Sequence, residues 1–213
     1  MGWFRRKKNA VHKAMRQAEE TGGAVLPEYH RPTPECPRPH LWSMYDSMTA
    51  EVEVLEFLRT LVTTMKPSLI VETGSFLGVS SLWMAEGLQR NGFGRLVSCE
   101  LDPVVYAKAA AKIAESGLSD WIDLRNESSL EMKIDGTIDL FFSDSDLPIR
   151  EQEVKHFLPK MNPYGLLLMH DASSHLKTVR EGALRMEAEG LISAVLLPTP
   201  RGLVVAQKRE GRR

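Results

Sequence analysis

The sequence predicts an α/β protein whose doubly wound, mostly parallel sheet of seven strands ends in an antiparallel hairpin. Three observations carry that expectation. Short apolar runs rich in β-branched residues alternate with segments of helical period along the chain. The first such run passes through a glycine-containing turn into a helix, the place where open α/β sheets hold their ligands. The last two runs are joined only by Pro198-Thr199-Pro200-Arg201, too short for a parallel crossover.

The elements follow in order. Residues 1–43 read as a basic, proline-rich arm and 44–213 as the folded domain. Residues 1–20 can be drawn as a helix. Trp3 and Phe4 stand beside Arg5, Arg6, Lys7 and Lys8, a grouping that could touch an anionic membrane, but a solvated terminus is the favoured reading. Pro27, Pro32, Pro34, Pro37 and Pro39 forbid helix and ladder alike. From Met44 to Met65, Leu55, Leu58, Leu61 and Val62 recur at helical spacing until Pro67 stops them. Leu69-Ile70-Val71 reads as a buried strand, followed by a helix that Asn91-Gly92 ends. Leu96–Cys99 is a strand and Pro103 to Ser116 a helix. Asp120–Leu124 and Ile138–Phe142 are strands, with a helix over Glu151–Leu158. Asn162-Pro163-Tyr164-Gly165 reads as a turn, Leu166–Met169 as a strand and Leu176–Glu189 as a helix. Leu191–Leu197 and Gly202–Val205 form the hairpin.

Composition narrows the classes of function. The chain has 213 residues and a net charge of −1, so no global field favours nucleic acid. Its 43% hydrophobic and 26% charged residues are ordinary soluble composition. Cys36 and Cys99 lack any zinc or disulfide spacing, which fits a reducing, cytoplasmic setting. No run approaches the ~18 apolar residues of a membrane span, so stable membrane insertion is not expected. The N-terminus has no apolar stretch after its basic residues, and Arg6 stands where a myristoylation signal has Ser or Thr.

The turn after the first strand reads Val71-Glu72-Thr73-Gly74-Ser75-Phe76-Leu77-Gly78-Val79-Ser80, a Glu-x-Gly-x-x-x-Gly pattern. A dinucleotide site needs Gly-x-Gly-x-x-Gly to cradle its pyrophosphate. S-adenosylmethionine (SAM) has no phosphate; it carries an ammonium and a sulfonium, which a carboxylate at Glu72 would suit. Gly74 and Gly78 would let backbone approach the ligand. Glu100 closes the next strand, where an acid can accept both ribose hydroxyls. Asp102, just before Pro103, is assigned instead to capping the following helix.

At these residues the chain resembles class I SAM-dependent methyltransferases, and more closely the small O-methyltransferases of the catechol and macrocin O-methyltransferase kind. The resemblance covers about residues 44–208. It implies that Glu72, Gly74, Ser75, Gly78 and Ser80 contact the methionine part of SAM. It gives the ribose to Glu100, with Leu101 beside it, and the adenine to the Asn126–Ser129 segment through Ser128. Asp144, in Phe141-Phe142-Ser143-Asp144-Ser145-Asp146, falls where the family has a carboxylate near SAM that binds Mg²⁺ in metal-dependent members. Asp171 falls at a second metal position. The chain departs from the catechol pattern at Leu147, where that group has a Lys base, and at Ala172, where it has an Asn ligand. Asp144-Ser145-Asp146 fits the macrocin pattern better.

Methyl transfer to oxygen needs positioning and a route for one proton. Asp146 is the first candidate base and His170 the second. Asp144 and Asp171 could hold Mg²⁺ with water and substrate completing the shell. They could equally do no more than hold SAM and cap the next helix. The expected partner is a small hydroxylated acceptor, not nucleic acid; a homodimer is compatible by resemblance only. Two other readings stand beside this one. A nicotinamide-dependent oxidoreductase would share the sheet, but the third glycine is missing. A noncatalytic SAM-binding scaffold would explain the lost Lys and Asn.

Overall fold

A computed structural model of the chain describes residues 42–43, 46, 48–174 and 176–209. The arm before Trp42 lies outside these residues, as does Met44, where the first helical pattern was read to begin.

The described residues form one seven-stranded sheet. The strands are β1 (Leu69–Thr73), β2 (Arg95–Cys99), β3 (Ile122–Arg125), β4 (Ile138–Ser143), β5 (Met161–His170), β6 (Ile192–Leu197) and β7 (Leu203–Lys208). Their spatial order is β3-β2-β1-β4-β5-β7-β6. The first five are parallel, while β7 runs antiparallel between β5 and β6. The chain order reverses between β1 and β4, so the crevice at their carboxyl ends is the topological switch point.

Among the described residues five helices cover the sheet: α1 (Val52–Met65), α2 (Val79–Asn91), α3 (Pro103–Ser116), α4 (Arg150–Phe157) and α5 (Thr178–Ala188). Successive residues of a strand point to opposite faces. Ile70, Leu140, Phe142 and Leu168 therefore pack with Leu58, Val62, Met84 and Leu88 of α1 and α2. Val71, Phe141, Leu167 and Met169 pack on the other face with Val154, Phe157, Val179 and Met186 of α4 and α5. Helices on both faces are what bury a parallel sheet. Where α1 crosses α2, a Cβ at Gly87 would meet Val62 Cγ1 at 2.8 Å, so glycine sets how close the two helices lie.

Local signals fix most boundaries. Asp102 accepts from the amides of Val104 and Val105 and caps α3, Pro103 opens the helix, and Gly117 ends it in the left-handed conformation. Two expectations are corrected. Among the described residues helix α1 starts at Val52, and those from Thr49 to Glu51 are not helical. The Asp46 carboxylate accepts from the amides of Met48 and Thr49 and the Thr49 hydroxyl, folding the preceding residues into a turn. The Asn162–Gly165 segment is not a turn between elements but an irregularity inside β5. The register with β4 slips between Ile138 and Leu140. Asn162 Nδ2 donates to Asp139 and its Oδ1 accepts from the Tyr164 amide, closing the kink.

Candidate functional site

The carboxyl ends of β1, β2 and β4 meet in one crevice. Cys99 O accepts from the amides of Gly74 and Ser75, and Thr73 O accepts from the Asp144 amide at 2.9 Å. Gly74 has φ +81°, and a Cβ there would stand 2.6 Å from Asp144 O and Ser145 Cα. Glycine is thus required twice, for its backbone conformation and for the approach of the β4 end. Gly78, with φ +77°, gives the left-handed residue from which α2 starts; its absent Cβ faces Ala109 and Ile113 at ordinary contact distance. Both glycines shape the turn, and at Gly74 the close neighbour is protein backbone.

At the end of β2 the Glu100 carboxylate accepts from the Phe76 amide through Oε2 at 3.1 Å and from the Asp102 amide through Oε1 at 2.9 Å. Each oxygen is held by one backbone donor and keeps a second lone pair. Burial pushes the Glu100 carboxyl above its ordinary value, against the pull of those amides. Leu101 beside it is exposed at 70%, an apolar surface suited to a flat base. Asn126 Nδ2 donates to the carbonyls of Glu100 and Leu101 and so ties the next loop to this rim. In that loop the Ser128 carbonyl accepts from the amides of Glu131 and Met132. The hydroxyls of Ser75 and Ser145, both in the crevice, are buried and have no partner among the described residues. A fixed carboxylate, an apolar rim and two unsatisfied hydroxyls fit a polar nucleoside ligand.

Glu72 lies elsewhere than expected. Its carboxylate is fully buried and accepts from the hydroxyls of Ser80, Ser81 and Ser98. Burial raises its pKa against those three donors. Glu72 and Ser80 thus brace the turn from beneath and do not face a ligand's ammonium. Next to them, Thr73 and Ser143 donate to Glu153 Oε2, joining β1, β4 and α4 below the crevice.

Asp144, Asp146, His170 and Asp171 are brought to the adjoining carboxyl ends of β4 and β5, and they separate into two settings. Asp146 is exposed, just past β4, at the start of a short 3-10 turn over Leu147–Ile149. The other three enter a buried ion cluster. Arg150, 2% exposed, donates through Nη2 to Asp144 Oδ1 at 3.1 Å and to Asp171 Oδ2 at 3.0 Å. It also donates to the carbonyls of Ser145 and His170. Arg201 Nε donates to Asp171 Oδ1 at 2.7 Å, and its amide donates to Glu51 Oε1 at 2.7 Å. His170 places Nε2 2.7 Å from Glu51 Oε2 and Nδ1 3.1 Å from Asp144 Oδ1.

The electrostatics follow from this packing. Burial disfavours an imidazolium at His170, but Asp144, Asp171 and Glu51 outweigh it and raise the pKa to about 9. Glu51 is held down to about 2: burial opposes ionisation, and His170 and the Arg201 amide prevail. Asp171 lies well below the usual carboxylate range; burial opposes this, and His170, Arg201 and Arg150 overcome it. His170 is buried with both ring nitrogens facing carboxylates inside the protein, a setting that speaks against its reading as a base. Glu51, Arg150 and Arg201 escaped the sequence reading, because their partners lie up to 150 residues away and share no motif.

Asp144, His170 and Asp171 offer ligand atoms within 4.8 Å of one another, the arrangement a metal site would need. A divalent cation does not fit the group as it stands. Asp144 Oδ1 is shared by Arg150 and His170, both Asp171 oxygens hold guanidinium groups, and both His170 nitrogens face carboxylates.

Comparison with known proteins agrees with this geometry. Residues 71–172, from within β1 to just beyond β5, match the family described as a methyltransferase domain. A catechol O-methyltransferase of Niastella koreensis is 26% identical over 141 residues, which span 63% of this chain and 63% of that enzyme. Among solved structures, the SAH-bound methyltransferase PaMTH1 of Podospora anserina aligns with a TM-score of 0.69 at 16% identity, over 92% of this chain and 96% of that one. The SAM-bound O-methyltransferase TomG of Streptomyces achromogenes aligns with a TM-score of 0.64 at 18% identity, over 76% and 82%. Fold and family match agree: residues 71–172 match a methyltransferase domain, and the sheet aligns with those of SAM- and SAH-bound methyltransferases. The chain's relatives lie among the O-methyltransferases.

Proposed function

We propose that the protein methylates a hydroxyl oxygen of a small acceptor, with SAM as methyl donor. The observation that carries this reading is the Glu100 carboxylate, fixed by two backbone amides on the rim of the switch-point crevice, with exposed Asp146 just past the end of β4. Glu100 would accept the ribose hydroxyls, Leu101 and the Ser128 loop would flank the adenine, and Ser75 would meet the methionine end. SAM supplies an electrophilic methyl: the C–S bond breaks as the acceptor oxygen attacks, leaving a neutral thioether. The protein's share is alignment, exclusion of water and removal of the acceptor's proton, which passes to Asp146.

Mg²⁺ assistance is not part of this reading, because the carboxylates that would bind the ion are held by Arg150 and Arg201. A nicotinamide-dependent oxidoreductase and a noncatalytic scaffold are less well supported, by the family match and by the exposed carboxylate beside the crevice respectively. The test is methyl transfer from radiolabelled SAM to a panel of phenols and hydroxylated metabolites. Asp146→Asn should lower kcat by about 10²–10⁴, the usual worth of a general base, and leave SAM affinity unchanged. Turnover equal to wild type would remove Asp146 from the mechanism.

A further inference from the structure

We propose that the guanidinium of Arg150 stands where a divalent cation would otherwise join Asp144 to Asp171, so that this site works without a metal. The inference rests on the methyltransferase reading of the crevice and adds how its β4 and β5 rims are held together.

The geometry is that of a clamp. Nη2 of Arg150 lies 3.1 Å from Asp144 Oδ1 and 3.0 Å from Asp171 Oδ2, one nitrogen bridging the ends of two strands. The same side chain donates to the carbonyls of Ser145 and His170, so it holds backbone as well as carboxylate on both strands. A planar guanidinium is suited to several fixed acceptors at once; an ammonium is a single point charge. Arg150 sits at the first position of α4, and its 2% exposure leaves no room for it to swing into solvent.

Charge balance supports the same conclusion. Arg150 and Arg201, both permanently charged, already face Asp144 and Asp171. A divalent ion added here would have to displace a guanidinium from carboxylates that already hold it. Mg²⁺ also demands near-octahedral oxygen coordination, whereas Asp144 Oδ1 and both Asp171 oxygens already meet nitrogen donors.

The clamp has two consequences. By holding Ser145 O and Asp144, Arg150 fixes the loop that lies against Gly74, and it places Asp146 one residue further on. It is a positioning residue and touches neither donor nor acceptor. The acceptor then needs no pair of neighbouring oxygens to chelate an ion; a single hydroxyl suffices.

The experiment titrates Mn²⁺ into the full chain and follows the free-ion signal by electron paramagnetic resonance, with SAM affinity measured by calorimetry on the same samples. The wild type should leave the Mn²⁺ signal unchanged, and methyl transfer should survive a chelator. Arg150→Met, which keeps the volume and removes the charge, should bind Mn²⁺ at least tenfold more tightly than wild type. Stoichiometric Mn²⁺ binding by the wild type, lost in Asp171→Asn, would overturn the proposal. A folded Arg150→Met with wild-type Mn²⁺ affinity would also overturn it, since Arg150 would not be what excludes the ion. If Arg150→Met does not fold, the wild-type titration decides alone. Failure to bind SAM would count against the methyltransferase reading and leave the metal result standing.

Discussion

The Glu100 carboxylate is held by two amides, one on each oxygen. Replacing it by Ala removes a charged acceptor of two ribose hydroxyls and should weaken SAM binding by roughly 1.5–3 kcal/mol, about ten- to a hundredfold. An unchanged dissociation constant would withdraw the ribose from this residue. His170 gives a second test at the same scale. Lodged between Glu51 and Asp144, it should titrate in an NMR experiment at about pH 9, well above the ordinary imidazole value. Titration at or below pH 6.5 would mean a neutral ring and a weaker cluster. Sequence placed His170 beside Asp171 but could not show which way its nitrogens point. It therefore left a structural imidazolium indistinguishable from a base.

The elements divide into those whose signals are local and those whose signals are not. Helix α3 was legible to the residue because Asp102, Pro103 and Gly117 carry its start and stop in themselves. The strands β1, β2 and β4 were legible as buried apolar runs. The start of α1 was not, because the Asp46 turn competes with a helical pattern that reads through it. The irregularity in β5 looked like a turn because Asn162, Pro163 and Gly165 are turn residues. Whether they end a strand or kink it depends on Asp139 of the neighbouring strand. The glycine motif was recognised as a site marker, yet its main work at Gly74 is to admit the β4 end. Gly74→Ala should lose roughly 2–5 kcal/mol in urea unfolding, from the left-handed backbone and the 2.6 Å approach together. Gly92→Ala, with φ +75° and open space around its Cβ position, should lose only the first part, about 1–2 kcal/mol. Equal losses would contradict the close-approach role of Gly74.

At the scale of the whole molecule, the ion cluster ties α1, β4, β5, α4 and the loop before β7 into one unit. It also makes stability depend on pH from two sides. His170 has its pKa raised to about 9, so its contribution is complete below the ordinary imidazole value and is lost as pH climbs through 9. Glu51 has its pKa lowered to about 2, so its contribution is complete above the ordinary carboxylate value and is lost as pH falls toward 2. Asp171 acts in the same direction as Glu51. The cluster should therefore stabilise most from about pH 4.5 to 6.5, the interval between those ordinary values. Thermal unfolding should show Tm falling as pH rises from 7 to 9.5. Among the described residues no helix is long and apolar enough to cross a membrane.

The central claim is that the crevice between β1, β2 and β4 binds SAM. Calorimetric titration of the full chain with SAM, with NAD⁺ as the control ligand, tests it most directly. The account predicts saturable one-to-one binding of SAM and none of NAD⁺. Absence of SAM binding by a folded chain, or preference for NAD⁺, would contradict it.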